Sequence, residues 1–280
     1  SNGATSDIDL ITIHTLGNAV NFGELHTYRT THGACSSSTR GIFLGGSPDN
    51  DSTEYYTLAS AGNGIDFGNL TSTGRRYTSS FSSSTRGFSA GGKDDPAVTN
   101  EIDYCEISTL SSWLDFGDLT VAALYWSGLS SPTRGLTLVA DDPASQVINS
   151  VTIASKGNAS KFGDLTVEAY GRGGFSNSVR GMCFGGRGIS SDVDTIESVT
   201  IASEGNAVDF GEISYARRFL GGSATQTRGF IMPGFGTDTT FNRIESVTIA
   251  SSGNSVDFGD SVNRRYVRVA SDSHGGLGGF

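Results

Sequence analysis

The stretch "IESVTIASEGNAVDFGEI" fills residues 196–213 and returns almost unchanged as "IESVTIASSGNSVDFGDS" at residues 244–261. Four looser copies precede them, and every copy carries the same Phe-Gly pair near its end. The position numbers of successive phenylalanines differ by 45, 49, 46, 48 and 48. A unit of this length present six times indicates a repeat architecture, in which no single unit can bury a core alone. The six phenylalanines are Phe22, Phe67, Phe116, Phe162, Phe210 and Phe258.

A second signature lies between successive copies of this phrase. It reads "STRGIFLGG" at residues 38–46 and "QTRGFIMPG" at residues 226–234. The sixth copy, "DSHGGLGGF" at residues 272–280, has His274 where the others have arginine. The five arginines are Arg40, Arg86, Arg134, Arg180 and Arg228.

The letters within one unit predict short strands. Residues 197–201, "ESVTI", alternate in polarity and are rich in β-branched side chains, which favours a strand. A Gly-Asn turn follows, and "AVDF" at residues 207–210 reads as the return strand. The offset from the strand-ending Ile or Leu to the Phe is the same in all six copies, as a hairpin of fixed register requires. The second signature adds another strand pair, so the sequence predicts an all-β, six-bladed propeller of four-stranded blades in one domain, residues 1–280.

The two ends of the chain are predicted to share the sixth blade. Inside the chain, the position numbers of the first glycine of the second signature and of the next strand-ending Ile or Leu differ by 17, 20, 18, 20 and 20. Joining the chain end to its start gives a difference of 18, so the ring closes in register. We therefore expect two inner strands within about 263–280 and two outer strands within about 7–22.

The amino-acid composition and the net charge disfavour several classes of function. The 280 residues include 39 glycines, and the formal net charge is −10 with a pI near 4.8. An acidic surface disfavours a nucleic-acid partner, which needs a basic face. No apolar run approaches the length of a membrane span, so membrane insertion is not expected. The three widely spaced cysteines form neither a disulfide framework nor a metal motif and are predicted to be buried thiols.

The two recurring side chains are interpreted as structural. Arginine once per blade predicts a clamp to a carboxylate or carbonyl of the neighbouring repeat, and Arg180→Ala would then cost about 3–5 kcal/mol if a buried charge were left unpaired. The alternative is a ring of exposed guanidinium groups that binds an anion on the axis. The phenylalanine of each Phe-Gly pair is predicted to be an apolar wedge between blades.

The variable loops hold the candidate binding residues. The loop after each inner strand pair differs in length and is acidic, as in "KDDPAVTN" at residues 93–100. These loops should emerge on one face together with the connections between blades, and variable loops on a rigid scaffold commonly carry function. No cofactor is expected, and Ca²⁺ is the one candidate ion, because the loops are rich in oxygen atoms although no EF-hand spacing is present. The candidates are Asp49, Asp51, Asp94, Asp95, Asp141, Asp142, Asp192, Asp194 and Asp238.

Catalytic motifs are absent from the sequence. The four histidines form no zinc-protease motif, and no Gly-x-Ser-x-Gly elbow occurs. His26 and His32 are expected to line the central channel. Carboxylates from different blades are a remaining route to glycoside hydrolysis, because such pairs need not be adjacent in sequence.

The glycine pairs, such as Gly45-Gly46, Gly91-Gly92 and Gly185-Gly186, the alternating strand after them and the later aromatic residue resemble the kelch-type propeller. The copy with Val139-Ala140 departs from that pattern. The whole phrase, with its "VTIAS", "DFGDL" and "TRG" elements, is more similar to repeats in tail and other virion structural proteins of bacteriophages, particularly those of marine cyanobacteria. The resemblance covers the full chain and implies a place on the surface of an extracellular particle.

These observations lead to three functional hypotheses. The first is a non-enzymatic virion protein of a tail fibre, spike or capsid surface, which binds a host-surface glycan or another virion protein through its acidic loops. The second is a cellular kelch-like module for protein interaction. The third is a glycan-active enzyme built on a propeller.

Overall fold

The computed structural model describes residues 5–48, 51–139, 145–237, 239–264 and 266–278. Within these residues the protein is built from β-strands, with one short 3-10 helix, η1, at Gly275–Leu277. No helix in the described part of the chain has the length and hydropathy to cross a membrane. The all-β class predicted from the repeats is confirmed.

Five antiparallel sheets of four strands are arranged as the blades of a propeller, in the strand order of an up-and-down meander. Blade one consists of β3 (Gly33–Ser36), β4 (Arg40–Leu44), β5 (Ser52–Thr57) and β6 (Ile65–Asn69). Blade two consists of β7 (Ser79–Ser82), β8 (Arg86–Ala90), β11 (Glu101–Glu106) and β12 (Leu114–Asp118), with a loop hairpin of β9 (Lys93–Asp94) and β10 (Ala97–Val98). Blade three consists of β13 (Tyr125–Ser130), β14 (Arg134–Val139), β15 (Val147–Thr152) and β16 (Ser160–Asp164). Blade four consists of β17 (Gly173–Ser176), β18 (Arg180–Phe184), β19 (Thr195–Thr200) and β20 (Val208–Glu212). Blade five consists of β21 (Gly222–Ala224), β22 (Arg228–Ile231), β25 (Arg243–Thr248) and β26 (Val256–Asp260), with a loop hairpin of β23 (Phe235–Gly236) and β24 (Thr239–Thr240).

The prediction of six blades is wrong, because the structure has five. The sixth repeat, here called the sixth unit, forms a two-stranded sheet of β1 (Thr5–Leu10) and β2 (Val20–Arg29). The inner strands expected within 263–280 are not present among the described residues of that segment. Residues 266–272 run beside the inner strands of blades one and five without strand pairing, and the chain then turns into η1.

The sequence of residues 272–278, here called the tail, explains why the sixth blade is incomplete. In the complete blades the second strand places buried apolar side chains two and four positions after its arginine, as Ile42 and Leu44 do in blade one. The tail has Gly276 and Gly278 at these positions. Glycine adds no packing to a strand and loses more backbone entropy than other residues when it is ordered. A β-strand in this segment of the tail would therefore be unstable.

The same glycines suit another position. A side chain on Gly275 or Gly276 would overlap carbonyl oxygens of Ser130 or Ser82, so only glycine allows the tail to lie this close to the inner strands. Nε2 of His274 lies 2.8 Å from the Ser36 carbonyl oxygen, and the amide of Gln226 donates to the Gly278 carbonyl at 2.9 Å. The tail thus crosses one end of the central channel and contacts all five blades.

The Phe-Gly pair and the Gly-Asn turn belong to one contact between neighbouring units. The phenylalanine is buried, as predicted, while a side chain on the following glycine would overlap the turn of the next unit. The amide nitrogen of Asp164 donates to Oδ1 of Asn206, and the amide of Gly205 donates to the Phe162 carbonyl, at 3.0 and 3.1 Å. We call this arrangement the Gly-Asn contact. It also closes the ring, since the amide of Asp260 donates to Oδ1 of Asn18 at 3.0 Å.

Buried ion pairs hold the connections to four of the blades. Each joins an arginine that precedes the first strand to a carboxylate on the third strand, with almost no exposed side-chain surface in most of them. In blade four the arginine, Arg172, comes three residues later than in the other blades, with Ala169 at the usual position. Blade three has Asn149 at the acid position and Ala123 at the usual arginine position, and both are buried. Both charges are therefore missing together, as the cost of an unpaired buried charge requires. The pairs are Arg29–Glu54, Arg75–Asp103, Arg172–Glu197 and Arg217–Glu245.

A ring of serine hydroxyls joins the inner strands near the tail. The hydroxyl of Ser130 donates to the Ser82 carbonyl at 2.8 Å, and that of Ser176 donates to the Ser130 carbonyl at 2.8 Å. The hydroxyl of Ser36 donates to the carbonyl of Ser271, which links blade one to the sixth unit. These hydrogen bonds link the inner strands of neighbouring units directly, in addition to the apolar contacts between blades.

Candidate functional site

The meander gives the propeller two chemically different faces. The turn face carries the Thr-Arg-Gly turns, the Gly-Asn turns and the tail. The loop face carries the loops between the second and third strands and the connections between blades. Because the variable sequence lies in those loops and connections, the loop face is the side on which one blade differs chemically from the next.

On the loop face, the connections to blades one, two, four and five each pair with the loop that follows. Arg76 forms an isolated antiparallel bridge with Lys93, and Arg218 forms one with Phe235. Thr30 and Tyr170 make equivalent bridges in their own units. The backbone therefore holds connection and loop side by side, and residues from two sequence regions meet around the mouth of the channel.

Four non-glycine residues in the described parts of these connections have positive φ angles. They are Thr31 (55°), Tyr77 (58°), Phe219 (58°) and Tyr266 (59°), and Gly171 takes the same place in blade four with 68°. The amide of Tyr266 donates to the Phe219 carbonyl at 3.0 Å, and that of Phe219 to the Gly171 carbonyl at 2.7 Å. We call these five residues the collar. A left-handed conformation costs an ordinary residue on the order of 1 kcal/mol or more, and such strain concentrates at functional sites.

The collar leads directly into the channel wall. Thr78 and Leu220, which follow Tyr77 and Phe219, line a cavity of about 90 Å³ in the channel. Serine hydroxyls and glycines make up much of the remaining wall. The cavity has room for several water molecules and is too small for a sugar, so a larger ligand would have to bind at the collar.

Aromatic rings gather on the part of the loop face formed by blades four and five and the sixth unit. The rings of Phe219 and Tyr266 have centroids 4.6 Å apart, and those of Tyr170 and Phe219 are 6.4 Å apart. The guanidinium group of Arg218 lies over both the Phe219 and the Phe235 ring, 5.5 and 5.0 Å from the centroids. All these rings are half-buried, so they keep exposed surface. We call this cluster, with Arg218 and Asp192, the aromatic sector.

Asp192 supplies the anionic group of this sector. It forms ion pairs with Arg218 and, at 3.6 Å, with Arg187. Its side chain is only 3 % exposed, yet its Oδ2 atom has no hydrogen-bond donor among the described residues. A buried carboxylate oxygen without a donor is costly, so a ligand hydroxyl or a water molecule that supplies one would be favoured.

A smaller version of this arrangement occurs at blade two. Arg76 pairs with Asp95, and its guanidinium lies 5.7 Å from the Tyr77 ring centroid. Lys93 also binds Asp95 at 2.7 Å, and this hydrogen bond, with the charge of Arg76, lowers the pKa of the Asp95 carboxyl. Asp95 is exposed, unlike Asp192, so the two acidic loops offer different environments.

The structure does not bring the predicted aspartates together. Asp95 and Asp192 are engaged by arginines, while Asp194 is exposed and Asp51 and Asp94 are half-buried in separate loops. No cluster of three His, Cys, Asp or Glu side chains suited to a metal ion occurs in the described ranges. The calcium hypothesis also involves aspartates outside those ranges, which are Asp49, Asp141, Asp142 and Asp238.

The arginines of the second signature bind carbonyls rather than carboxylates across the blades. Nη1 of Arg86 donates to the carbonyl of Ile153 at 3.0 Å, and Arg180 donates in the same way to Ile249. Arg40 and Arg134 make the equivalent bonds, and all four side chains are half-buried. Within its own blade, Arg86 also pairs with a carboxylate, that of Glu106.

Arg228 differs from this group, because its side chain is exposed where we predicted burial. The unit that follows blade five in the ring is the incomplete sixth one. The predicted clamp therefore forms in its carbonyl version at the other four arginines. Buried arginine–carboxylate pairs form instead at the arginines that precede the first strands, such as Arg217.

The two histidines expected in the channel have different surroundings. His26 lies on β2 with its side chain exposed, so the expectation that it lines the channel is wrong. The alternation of β2 directs its apolar residues inward and leaves His26 on the solvent side. His32 is half-buried, and its ring packs edge-on against Phe43 at 5.5 Å between centroids.

Two histidines and one cysteine near the axis are held neutral at pH 7. Burial, with the charges of Arg268 and Arg29, lowers the pKa of His32 to about 3. Burial also lowers the pKa of His274 and raises that of Cys35 to about 12. The three cysteines are buried without a disulfide, as predicted. These groups line or support the interior, and neutral thiols and imidazoles of this kind suit packing.

Sequence reasoning missed the collar, although a signal was present. The tripeptide Arg-Arg-aromatic occurs at residues 75–77, 217–219 and 264–266. In blades two and five its first arginine enters the buried ion pair, its second pairs with a loop aspartate, and its aromatic residue joins the collar. A repeated tripeptide in otherwise variable connections would have indicated these roles.

No known protein family model matches the chain, and no curated protein matches its sequence significantly. The conclusions about function therefore rest on comparing the repeats of this chain with one another.

Proposed function

We propose that this propeller is a non-enzymatic binding protein of a virion surface, such as a tail fibre or spike, and that it binds a host-surface glycan at the aromatic sector. The observation that carries the proposal is a strained aromatic collar beside an Arg218–Asp192 pair on the face where the blades differ. The virion setting rests on the resemblance of the repeats to bacteriophage tail proteins.

The chemistry of the sector suits a sugar. The apolar C–H face of a pyranose ring packs against the negative face of an aromatic ring, and the half-buried rings of Phe219 and Tyr266 present such surface. The hydroxyl groups of a sugar need both donors and acceptors, which Arg218 and Asp192 supply. Carboxylates at Asp95 and Asp194 disfavour a strongly anionic glycan, so a neutral one is expected.

The collar offers a test in which binding and stability separate. Phe219→Gly removes the aromatic ring and at the same time places glycine, which tolerates φ 58°, at the strained position. We expect at least a tenfold loss of affinity on a glycan array. The relieved strain offsets part of the packing that the ring loses against Tyr266, so the melting temperature should fall only modestly. Glu204→Ala, an exposed change on the turn face, is the matched control and should alter neither quantity.

Two results would contradict this proposal. One is full glycan binding by the folded Phe219→Gly variant. The other is the absence of any glycan signal, with and without Ca²⁺, for the wild-type chain.

The second candidate function is protein binding by the same face, either to another virion protein or in a cellular kelch-like module. It is favoured by Ile189, a loop side chain that is 85 % exposed. Ile189→Asp should weaken a protein contact and leave glycan binding unchanged. A glycan-active enzyme is the weakest alternative, because the buried carboxylates of the blades pair with arginines.

A further inference from the structure

A large apolar cavity occupies the sixth unit. Its volume is about 410 Å³, far above the water-sized voids of ordinary protein interiors and within the range of ligand pockets. One wall is formed by blade one, with Phe43, and the other by blade five, with Phe230. Residues 266–272 bound it on the axis side, and β1 bounds it on the outer side. We call this cavity the slot.

The slot lies where a complete blade has its second strand. Residues 267–271 take the place of the first strand, because the amide of Ser271 donates to Oγ of Ser36 at 3.0 Å, in the serine ring. β1 takes the place of the third strand, and among the described residues it pairs with β2 alone. The segment that follows Ser271 in the chain turns into η1 instead of entering between them. One edge of β1 therefore faces the slot without a strand partner in the described part of the chain.

The five complete blades show what fills this position. Their second strands begin with Arg-Gly and continue with an apolar residue, any residue and a second apolar residue. Both apolar side chains are buried in each blade. The pairs are Ile42 and Leu44, Phe88 and Ala90, Leu136 and Leu138, Met182 and Phe184, and Phe230 and Met232.

We propose that the slot accepts an extended peptide strand of a partner protein, with apolar residues at alternate positions after an Arg-Gly pair. The added strand would run antiparallel to β1, as β4 runs antiparallel to β5. Backbone hydrogen bonds to the open edge of β1 supply affinity, and the two apolar side chains supply specificity. This proposal is independent of glycan binding at the loop face.

The polar end of the slot fits the arginine of such a strand. In the complete blades the arginine donates to a carbonyl of the following blade, as Arg40 does to Ile107 at 2.9 Å. Leu58 of blade one corresponds to Ile107, since the amide of each bonds the carbonyl of the threonine before the arginine of its own blade. Leu58 lines the slot, as does Asp272 with its negative charge. A basic residue at the start of the peptide is thus complementary to both.

A peptide taken from blade one tests the proposal. The peptide "SSTRGIFLGG", residues 37–46, carries the natural second strand, and a control peptide has glycine in place of Ile42 and Leu44, as the tail has. With fluorescence polarisation we expect the natural peptide to bind the full chain at least tenfold more tightly than the control. The melting temperature of the chain should rise with peptide concentration.

A variant of the tail gives the reciprocal result. Gly276→Ile together with Gly278→Leu restores the strand pattern and makes the η1 position sterically impossible, so the tail should enter the slot. We expect a higher melting temperature and at least a tenfold loss of peptide affinity, while Ser273→Ala changes neither. Because that variant could misfold, a chain lacking residues 275–280 is measured as well, and it should retain peptide binding.

Three outcomes would overturn the proposal. They are no peptide binding by either the wild type or the shortened chain, equal binding of both peptides, and loss of binding through formation of a dimer of the chain. Binding of a small apolar dye in the slot without peptide binding would also overturn it, since a pocket for small molecules is then the better description.

Discussion

Blade five and the sixth unit have similar repeat sequences but different structures. In blade five, "TRGFI" supplies a buried second strand, and Arg217 is paired with Glu245 inside the blade. In the sixth unit the corresponding strand is absent from the described residues, and the equivalent ion pair, Arg264 with Asp9 at 3.2 Å, is about one fifth to one quarter exposed. Gly276 and Gly278 in the tail are thus the sequence difference that leaves the sixth unit open while blade five is complete. The outer hairpin and its Gly-Asn contact survive without the inner strands, so ring closure depends on the outer phrase.

The largest difference between the two regions should come from their ion pairs. Arg217→Ala leaves Glu245 buried without its partner, which typically costs about 3–5 kcal/mol of unfolding free energy. Asp9→Asn breaks a partly solvated pair and should cost no more than about 1 kcal/mol. Denaturant unfolding measures both.

Blade three supplies the control for that experiment. The double variant Arg217→Ala with Glu245→Asn reproduces Ala123 and Asn149 and should recover much of the loss, because no unpaired charge remains. A double variant as unstable as Arg217→Ala would show that the pair is needed for itself and that blade three is stable for other reasons.

A smaller effect is expected at the arginines of the second signature. Arg180→Ala removes a half-buried charged donor from the Ile249 carbonyl and should cost about 1–2 kcal/mol, below the value for a buried carboxylate clamp. Arg228→Ala should change stability by less than about 0.5 kcal/mol, since that side chain is exposed beside the incomplete unit. Equal losses in thermal unfolding would mean that the sixth unit receives Arg228 as the complete blades receive their arginines.

The Gly-Asn contacts should be nearly equivalent around the ring. Asn254→Ala removes an interblade hydrogen bond to the Glu212 amide, and Asn18→Ala removes the one that closes the ring at Asp260. Each should cost about 1 kcal/mol. Hydrogen exchange should nevertheless differ, with faster exchange in β1 and β2 only for Asn18→Ala. Uniform exchange in both variants would place the weakest part of the ring elsewhere.

A further difference concerns acid stability. Folding lowers the pKa of His32 to about 3, chiefly through burial, whereas an unfolded histidine binds a proton near pH 6.5. The unfolded chain therefore binds more protons between these values, and stability falls as the pH drops from about 6.5 towards 3. His32→Gln should reduce the difference in melting temperature between pH 7 and pH 5, and exposed His14→Gln should not. An unchanged difference in His32→Gln would indicate that His32 takes up its proton in the folded state.

The repeats were sufficient to predict the strands and the propeller. Strand and turn signals are local, and their recurrence at a nearly constant period shows that each unit forms the same meander. The number of complete blades was not predictable from the period alone. Register across the chain ends allowed a sixth blade, but the strand fails because Gly276 and Gly278 contribute no core packing, a contribution that spacing does not measure.

The features of the candidate site also fall into those that the sequence predicts and those that only the tertiary structure decides. That the variable loops share one face followed from up-and-down order, whereas the collar, the pairing of Arg218 with Asp192 and the slot depend on residues that lie far apart in sequence or on space between blades. Hydrophobic alternation and turn chemistry act over a few residues, so the order of amino acids was enough to define the repeating unit. Which arginine meets which acid, and which unit stays open, depends on packing between blades, so these features emerged with the three-dimensional arrangement.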